Sequence, residues 1–222
     1  MRTKTEERRV LILDIATEVF LEVGYEKASM AVISSRVGGS KATLYNYFPS
    51  KEELFLAVME YKASRHMVGV FDQLHHDAPL EDVLIRFGIA LLEMRLSPEL
   101  VAIHRMAEHE ADRTVVGQLI FHNGIERGWT SVGDFLAECM HRGILPENDP
   151  MVAAWHLKAL IEANICDRRM LGVIRETPPI DEITVSVRRG VAVWLKGYGV
   201  EDAAAKGPDT PRRPASRRAR PH

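Results

Sequence analysis

Between Ser40 and Lys51 the chain brings together hydroxyls, cations and an amide on short or rigid stems: Ser40, Lys41, Thr43, Tyr45, Asn46, Tyr47 and Lys51. These side chains donate to phosphate oxygens and to the edges of bases. Leu44 and Phe48 stand four apart among them, the spacing that puts two side chains on one helical face. That face would turn inward and leave the polar residues outside. No catalytic pattern accompanies them. The chain has no Gly-x-Ser-x-Gly elbow, no phosphate-binding glycine loop and no His-Glu-x-x-His pair. The expectation is a surface that reads nucleic acid, in a protein that is not an enzyme.

Three short segments must position this surface. Ser29 can cap a first helix, because its hydroxyl accepts from a free backbone N–H. Val32, Ile33, Arg36 and Val37 follow at helical spacing, with the apolar members on one side. Gly38-Gly39 stops that helix, since glycine reaches left-handed φ/ψ at little cost. Ser40 caps again, and Lys41 to Phe48 makes about two turns. Pro49 ends them by pushing its predecessor out of the α region. Ser50 caps the next helix, with Glu53 at the capping-box position. Short helix, glycine turn and short helix form the helix-turn-helix outline.

The residues Ser29, Ile33-Ser34, Gly38-Gly39-Ser40-Lys41-Ala42-Thr43-Leu44-Tyr45-Asn46-Tyr47-Phe48-Pro49-Ser50-Lys51-Glu52-Glu53-Leu54 closely resemble the DNA-binding domain of TetR-family transcriptional regulators. The best-matched part is Leu44-Tyr45-x-Tyr47-Phe48-x-x-Lys51-Glu52-x-Leu54, within a domain of roughly residues 5–65. Ser34 and Val37 stand where the family usually has alanine, and Gly39 where it has valine. A Gly-Gly turn leaves the angle between the two helices less constrained. The resemblance implies that Ser40, Thr43, Tyr45, Asn46 and Tyr47 face the major groove of a palindromic operator in double-stranded DNA. Ser29, Lys41 and Lys51 would hold phosphates. It also implies that the helix after Lys51 transmits ligand binding to the DNA-reading head.

Net charge is −2 over 222 residues, and its distribution says more than its sum. Residues 1–65 hold ten Lys/Arg and nine Asp/Glu, residues 66–200 thirteen and nineteen, residues 201–222 six and three. An acidic body thus lies between less acidic ends. No apolar run is long enough to span a bilayer and no signal peptide opens the chain, so the expected location is cytoplasmic, with no membrane partner. Cys139 and Cys166 read as reduced, buried thiols.

The whole chain reads as all-α, with about nine to ten helices. The expected domains are a three-helix head over 1–50, a connecting helix over 51–74, a ligand-binding and dimerisation domain over 75–200 and a disordered basic tail over 201–222. The first helix would start at Thr5 and end at Gly24-Tyr25. The connecting helix would run on to Leu74, with Met67, Val70, Phe71 and Leu74 facing a second core. Further starts are marked by Ser97-Pro98, Asp112 and Asp149-Pro150.

The region from Pro98-Glu99-Leu100 through Arg105, then Gly143-Ile144-Leu145 and Asp149-Pro150, is similar to the regulatory domain of the AcrR/AefR-like subgroup. The resemblance implies a small-molecule effector and a homodimer. Segments 151–172 and 181–197 support the dimer independently, because both are apolar on more than one face and need a second surface to bury. Candidate ligand contacts are Phe87, Leu91, Met94, Ile103, Met106, Phe121 and Trp155, with His104, His122 and Asn164 as polar handles. Mostly apolar walls with few polar groups suit a small hydrophobic or aromatic molecule. The rival within the same fold is a metal or redox sensor, through His104/His109 or Cys139/Cys166. No cofactor is expected.

Overall fold

The computed structural model describes residues 4–67, 69–112 and 114–199, with the side chains of Lys4 and of residues 63–67 outside the description. The expectations for the tail and for the Met67 side chain fall outside these residues. Every regular element described is helical. The order is α1 (Lys4–Lys27), α2 (Met30–Val37), α3 (Lys41–Tyr47), α4 (Lys51–Met67), α5 (Leu80–Arg95), α6 (Pro98–Glu110), α7 (Val116–Ile120), α8 (Arg127–His141), α9 (Pro150–Glu162), α10 (Ile165–Met170) and α11 (Ile180–Tyr198). A 3₁₀ turn, Phe71–Gln73, follows α4, and a π turn, Phe121–Glu126, joins α7 to α8.

Two cores organise these helices. The first gathers Ile12, Leu13, Phe20, Ile33, Leu44, Phe48, Leu54 and Phe55 of the head, and it also takes in Ile103 and Ala107 of α6 and Val116 and Ile120 of α7. The head is therefore not closed by its own helices. The second core holds α5, α8, α9 and α11 together through Phe87, Leu92, Trp129, Leu136, Leu157, Val187 and Trp194. Trp194 Nε1 donates to Ala153 O at 2.9 Å, which ties α11 to α9. Gly190 lets the two backbones close up, since a Cβ there would sit 2.5 Å from Leu160 O.

Several expected boundaries move, each for a local reason. The first helix does not stop at Gly24: it kinks there, at φ 78°, and makes one further turn to Lys27. The kink buries the Tyr25 ring against Phe20 and Phe55, with centroids 5.8 and 5.0 Å away. The connecting helix ends at Met67 rather than Leu74, with Gly69 at φ 97° just beyond it. Asp112 caps nothing: α7 begins after Val115, without a side-chain cap. The segment expected as one helix over 151–172 breaks at Ala163-Asn164, where Asn164 adopts φ 67°. Asparagine tolerates that left-handed value better than other residues with a Cβ. Val32 turns outward, 41% exposed, so the α2 stripe is Met30, Ile33 and Val37.

Candidate nucleic-acid interface and ligand cavity

The caps form where the sequence places them. Ser29 Oγ accepts from Val32 N at 3.2 Å, Ser40 Oγ from Thr43 N at 3.1 Å, and Ser50 Oγ from Glu53 N at 3.1 Å. Gly38 closes α2 in the left-handed region, with its N–H on the carbonyls of Ser34 and Ser35. Leu44 and Phe48 are buried, as their spacing requires. Ser29, Ser40, Lys41, Tyr45 and Asn46 are exposed, while Thr43 and Tyr47 are half-buried. Thr43 Oγ1 lies 2.9 Å from Ser40 Oγ, and Tyr47 packs against the head core beside Phe48. The free face of α3 is thus narrower than its sequence suggests and centres on Lys41, Tyr45 and Asn46.

The Gly-Gly turn is pinned rather than loose. Ser34, buried to 3% exposure, donates its hydroxyl to Gly39 O at 3.1 Å. Gly39 N in turn donates to Ser34 O at 3.4 Å. Arg8 crosses the turn from α1 and donates to Val37 O at 3.3 Å. A Cβ on Gly39 would lie 2.8 Å from that guanidinium. Serine at 34 and glycine at 39, both departures from the family pattern, therefore act together: one ties the turn, the other leaves room for Arg8. Lys51 is engaged as well. Its ammonium donates to Tyr25 O at 3.0 Å and Glu26 O at 3.4 Å, 4.2 Å from the Tyr25 ring centroid. A cation on the last carbonyls of α1 complements that helix end.

In the body, α4 to α9 line a part-open cavity of about 120 Å³. Its wall takes Leu56, Met59 and Glu60 from α4, Phe71 from the 3₁₀ turn and Leu91, Met94 and Arg95 from α5. Leu100 and His104 come from α6, Ile120 from α7, Gly124 and Ile125 from the π turn, Gly128 and Trp129 from α8, and Lys158 and Glu162 from α9. The π turn is the kind of irregularity that recurs at functional sites. A Cβ on Gly128 would press to 3.1 Å from the Phe71 ring, so glycine there lets that ring form the wall.

One end of the cavity is polar. Glu162 pairs with Lys158 through one carboxylate oxygen and lies 3.2 Å from Arg95 Nε through the other. That Arg95 N–H is buried and is not directed at an acceptor. His104 Nδ1 lies 2.8 Å from Leu100 O. A carbonyl can only accept, so the proton is on Nδ1 and Nε2 is left as an acceptor. Burial, then the positive charges of Arg95 and Lys158, hold the His104 pKa down to about 4, so the ring is neutral.

Of the ten candidate ligand contacts, Leu91, Met94 and His104 line this cavity. The other seven lie off it. Phe87 is fully buried in the body core, its ring against Phe71 and Trp129. Ile103 and Met106 belong to the head core, on the opposite side of α6. Phe121 is exposed and stacks on Trp155, which stacks in turn on Trp129. His122 is exposed and bonded to Glu126, and Asn164 is the exposed hinge between α9 and α10. Sequence reasoning missed Arg95, Lys158, Glu162, Phe71 and Trp129. A Lys and a Glu at i and i+4 in the otherwise apolar α9 was the available signal for buried charge.

The sensor alternatives find no support in the geometry. Among the described residues, no group of three His, Cys, Asp or Glu could hold a metal ion. Cys139 and Cys166 are free and buried, and burial pushes each thiol up to about 11, where thiolate is scarce. No described helix is long and apolar enough to cross a membrane.

Two family models match the chain. The model for bacterial regulatory proteins of the tetR family covers residues 12–58, and the model for the C-terminal domain of AefR-like transcriptional repressors covers 82–200. The HTH-type transcriptional activator FasR of Mycolicibacterium smegmatis is 44% identical over 69 residues, which span 31% of this chain and 32% of that protein. A crystal structure from Mesorhizobium loti MAFF303099, assigned to the TetR-family transcriptional regulators, superposes with a TM-score of 0.78 at 26% identity, covering 90% of this chain and all of that one. The flavonoid-responsive regulator FrrA superposes with a TM-score of 0.72 at 26% identity, covering 87% and 98%.

Proposed function

The chain belongs to the TetR family of DNA-binding transcriptional regulators, and from that premise we propose that it is a dimeric repressor released from a palindromic operator by a small, largely hydrophobic molecule. The observation that carries this reading is the reach of α4. Its first residue, Lys51, grips the end of α1 in the head, and its second and third turns supply Leu56, Met59 and Glu60 to the cavity wall. The two ends lie about 14 Å apart on one helix, at 1.5 Å per residue. A molecule that fills the cavity pushes on the helix that positions α3. Ligand binding then favours a conformer whose two recognition helices no longer match the operator spacing, about 34–36 Å for successive turns of DNA.

In this reading Tyr45 and Asn46 enter the major groove, with Ser40, Thr43 and Tyr47 shaping the helix that presents them. Ser29, Lys41 and Lys51 approach phosphates. The homodimer forms through α9 and α11, whose outer faces expose Val152, Ile180, Val185 and Val193. Exposed apolar residues on two helices packed side by side fit a two-fold four-helix interface. FasR is an activator, so the sign of regulation is part of what must be tested. A footprint of the purified protein on the DNA flanking its own gene, at near-physiological salt, is the direct measurement. A protected palindrome, with transcription rising when the gene is deleted, is the expected outcome. Smooth, salt-sensitive coverage of any DNA would remove the sequence-reading role.

A further inference from the structure

We propose that the cavity between α4 and α9 takes a single-ring phenol, its hydroxyl donating to His104 Nε2 beside Lys158 and Arg95. This deepens the effector role proposed above and rests on it. Three observations carry the inference: the size of the space, the material of its walls, and the polarity of one end.

The size favours a small occupant. Apolar cavities of about 150 Å³ hold one benzene ring. At about 120 Å³, this one suits a single ring with a short substituent. The walls favour an aromatic occupant. Phe71 and Trp129 offer ring faces and edges, and Met59 and Met94 offer polarisable sulfur that packs well against rings.

The polar end selects the functional group. His104 keeps its proton on Nδ1, committed to Leu100 O, so Nε2 can only accept. A carboxylate has no proton to give and would set its lone pairs against that nitrogen. A plain hydrocarbon leaves the nitrogen unsatisfied. A phenol gives its proton to Nε2 and turns its oxygen lone pairs to the cations. The charged groups around the cavity are Arg95 and Lys158, balanced by Glu162 between them, with Glu60 exposed on the α4 side. Burial keeps His104 neutral, helped by the positive charges of Arg95 and Lys158, and those charges favour charge shifting onto a phenolic oxygen.

The experiment is calorimetric titration of the DNA-free protein with 4-methylphenol, toluene and benzoate, with tryptophan fluorescence as a second readout. 4-Methylphenol should bind at least tenfold more tightly than either of the others, the scale of one good hydrogen bond to a desolvated partner. His104→Leu should bring 4-methylphenol down to the toluene value while toluene binding persists. His104→Gln, which restores an acceptor oxygen, should recover part of the preference. Persistent toluene binding reports that the leucine variant is folded. Equal affinity for 4-methylphenol and toluene, tightest binding of benzoate, or binding of none of the three would each overturn the proposal. Because DNA is absent, such a failure leaves the operator footprint untouched. A protein that binds the phenol and protects no operator would overturn the regulatory reading alone.

Discussion

The recognition head and the ligand cavity are built by opposite means. Most hydrogen bonds that define the α2–turn–α3 unit join residues within five positions of one another; Arg8, Arg36 and Lys51 make the longer ones. The cavity has no local bond of that kind in its design, beyond His104 on its own helix and the Lys158–Glu162 pair. Its wall is assembled from Leu56 to Glu162, across eight helical segments. The head presents polar groups on a face that packing leaves bare. The cavity presents polar groups that packing has partly withdrawn from water. A single substitution should therefore alter the head by changing one contact, and the cavity by changing an environment.

The largest expected effect lies in the body. Phe87 is fully buried between Phe71 and Trp129 and does not line the cavity. Phe87→Ala should cost about 3–5 kcal/mol, read by chemical denaturation. A loss of ligand affinity at unchanged stability would mean that Phe87 is a ligand contact after all, and that the cavity extends further than drawn.

The pH dependence comes next. The folded pKa of His104, about 4, lies below its ordinary value of 6.5. Between those values the unfolded chain binds more protons than the folded one. Stability is therefore complete above pH 6.5 and falls as the pH drops toward 4, by at most about 3 kcal/mol. His104→Gln should flatten that part of the stability curve. An unchanged slope in the variant would assign the pH dependence to other groups.

The head should respond in binding more than in stability. Asn46→Ala and Tyr45→Ala remove exposed side chains, so melting should hardly move. Operator affinity should fall about 10- to 100-fold, the range of 1–3 kcal/mol for a lost base contact, with random DNA little affected. Equal losses on operator and random DNA would place both residues at phosphates. Lys51→Ala tests a mixed case, since its ammonium lies on α1 carbonyls. It should lower head stability and, on the phosphate reading, reduce the salt slope of DNA binding by about one.

The smallest effect is the most specific. Ser34→Ala deletes the bond to Gly39 O, worth about 1 kcal/mol. Hydrogen exchange should quicken at Gly38 and Gly39 while α3 keeps its protection. Gly39→Val should displace Arg8 from Val37 O, and the pair of changes together should restore the commoner form of the turn. Independent, additive effects would show that the two departures are unrelated.

The legibility of each region follows the range of its interactions. Ser29, Gly38, Ser40, Ser50, Ser97 and Asp149 cap or stop helices through neighbours two to four residues away. Such bonds are set by residue type and order, and the sequence displays both. Leu44 and Phe48 were legible as core for the same reason of spacing. The errors fall where a distant residue decides. Nothing near Ser34 announces Arg8. The α1 kink at Gly24 serves the burial of Tyr25 on Phe55, thirty positions away. Asn164 bends a segment that its apolar pattern would have continued.

The sequence by itself determined the helix-turn-helix, its caps, its two buried anchors and the helical character of the rest, because each depends on contacts within about one turn of helix. Only the tertiary structure decided which apolar residues are wall and which are core, and where Arg95, Lys158 and Glu162 meet. Apolar periodicity marks the inward face of a helix, but a cavity is a place where inward faces fail to touch. That depends on how six or more helices are spaced, and no single helix carries the information.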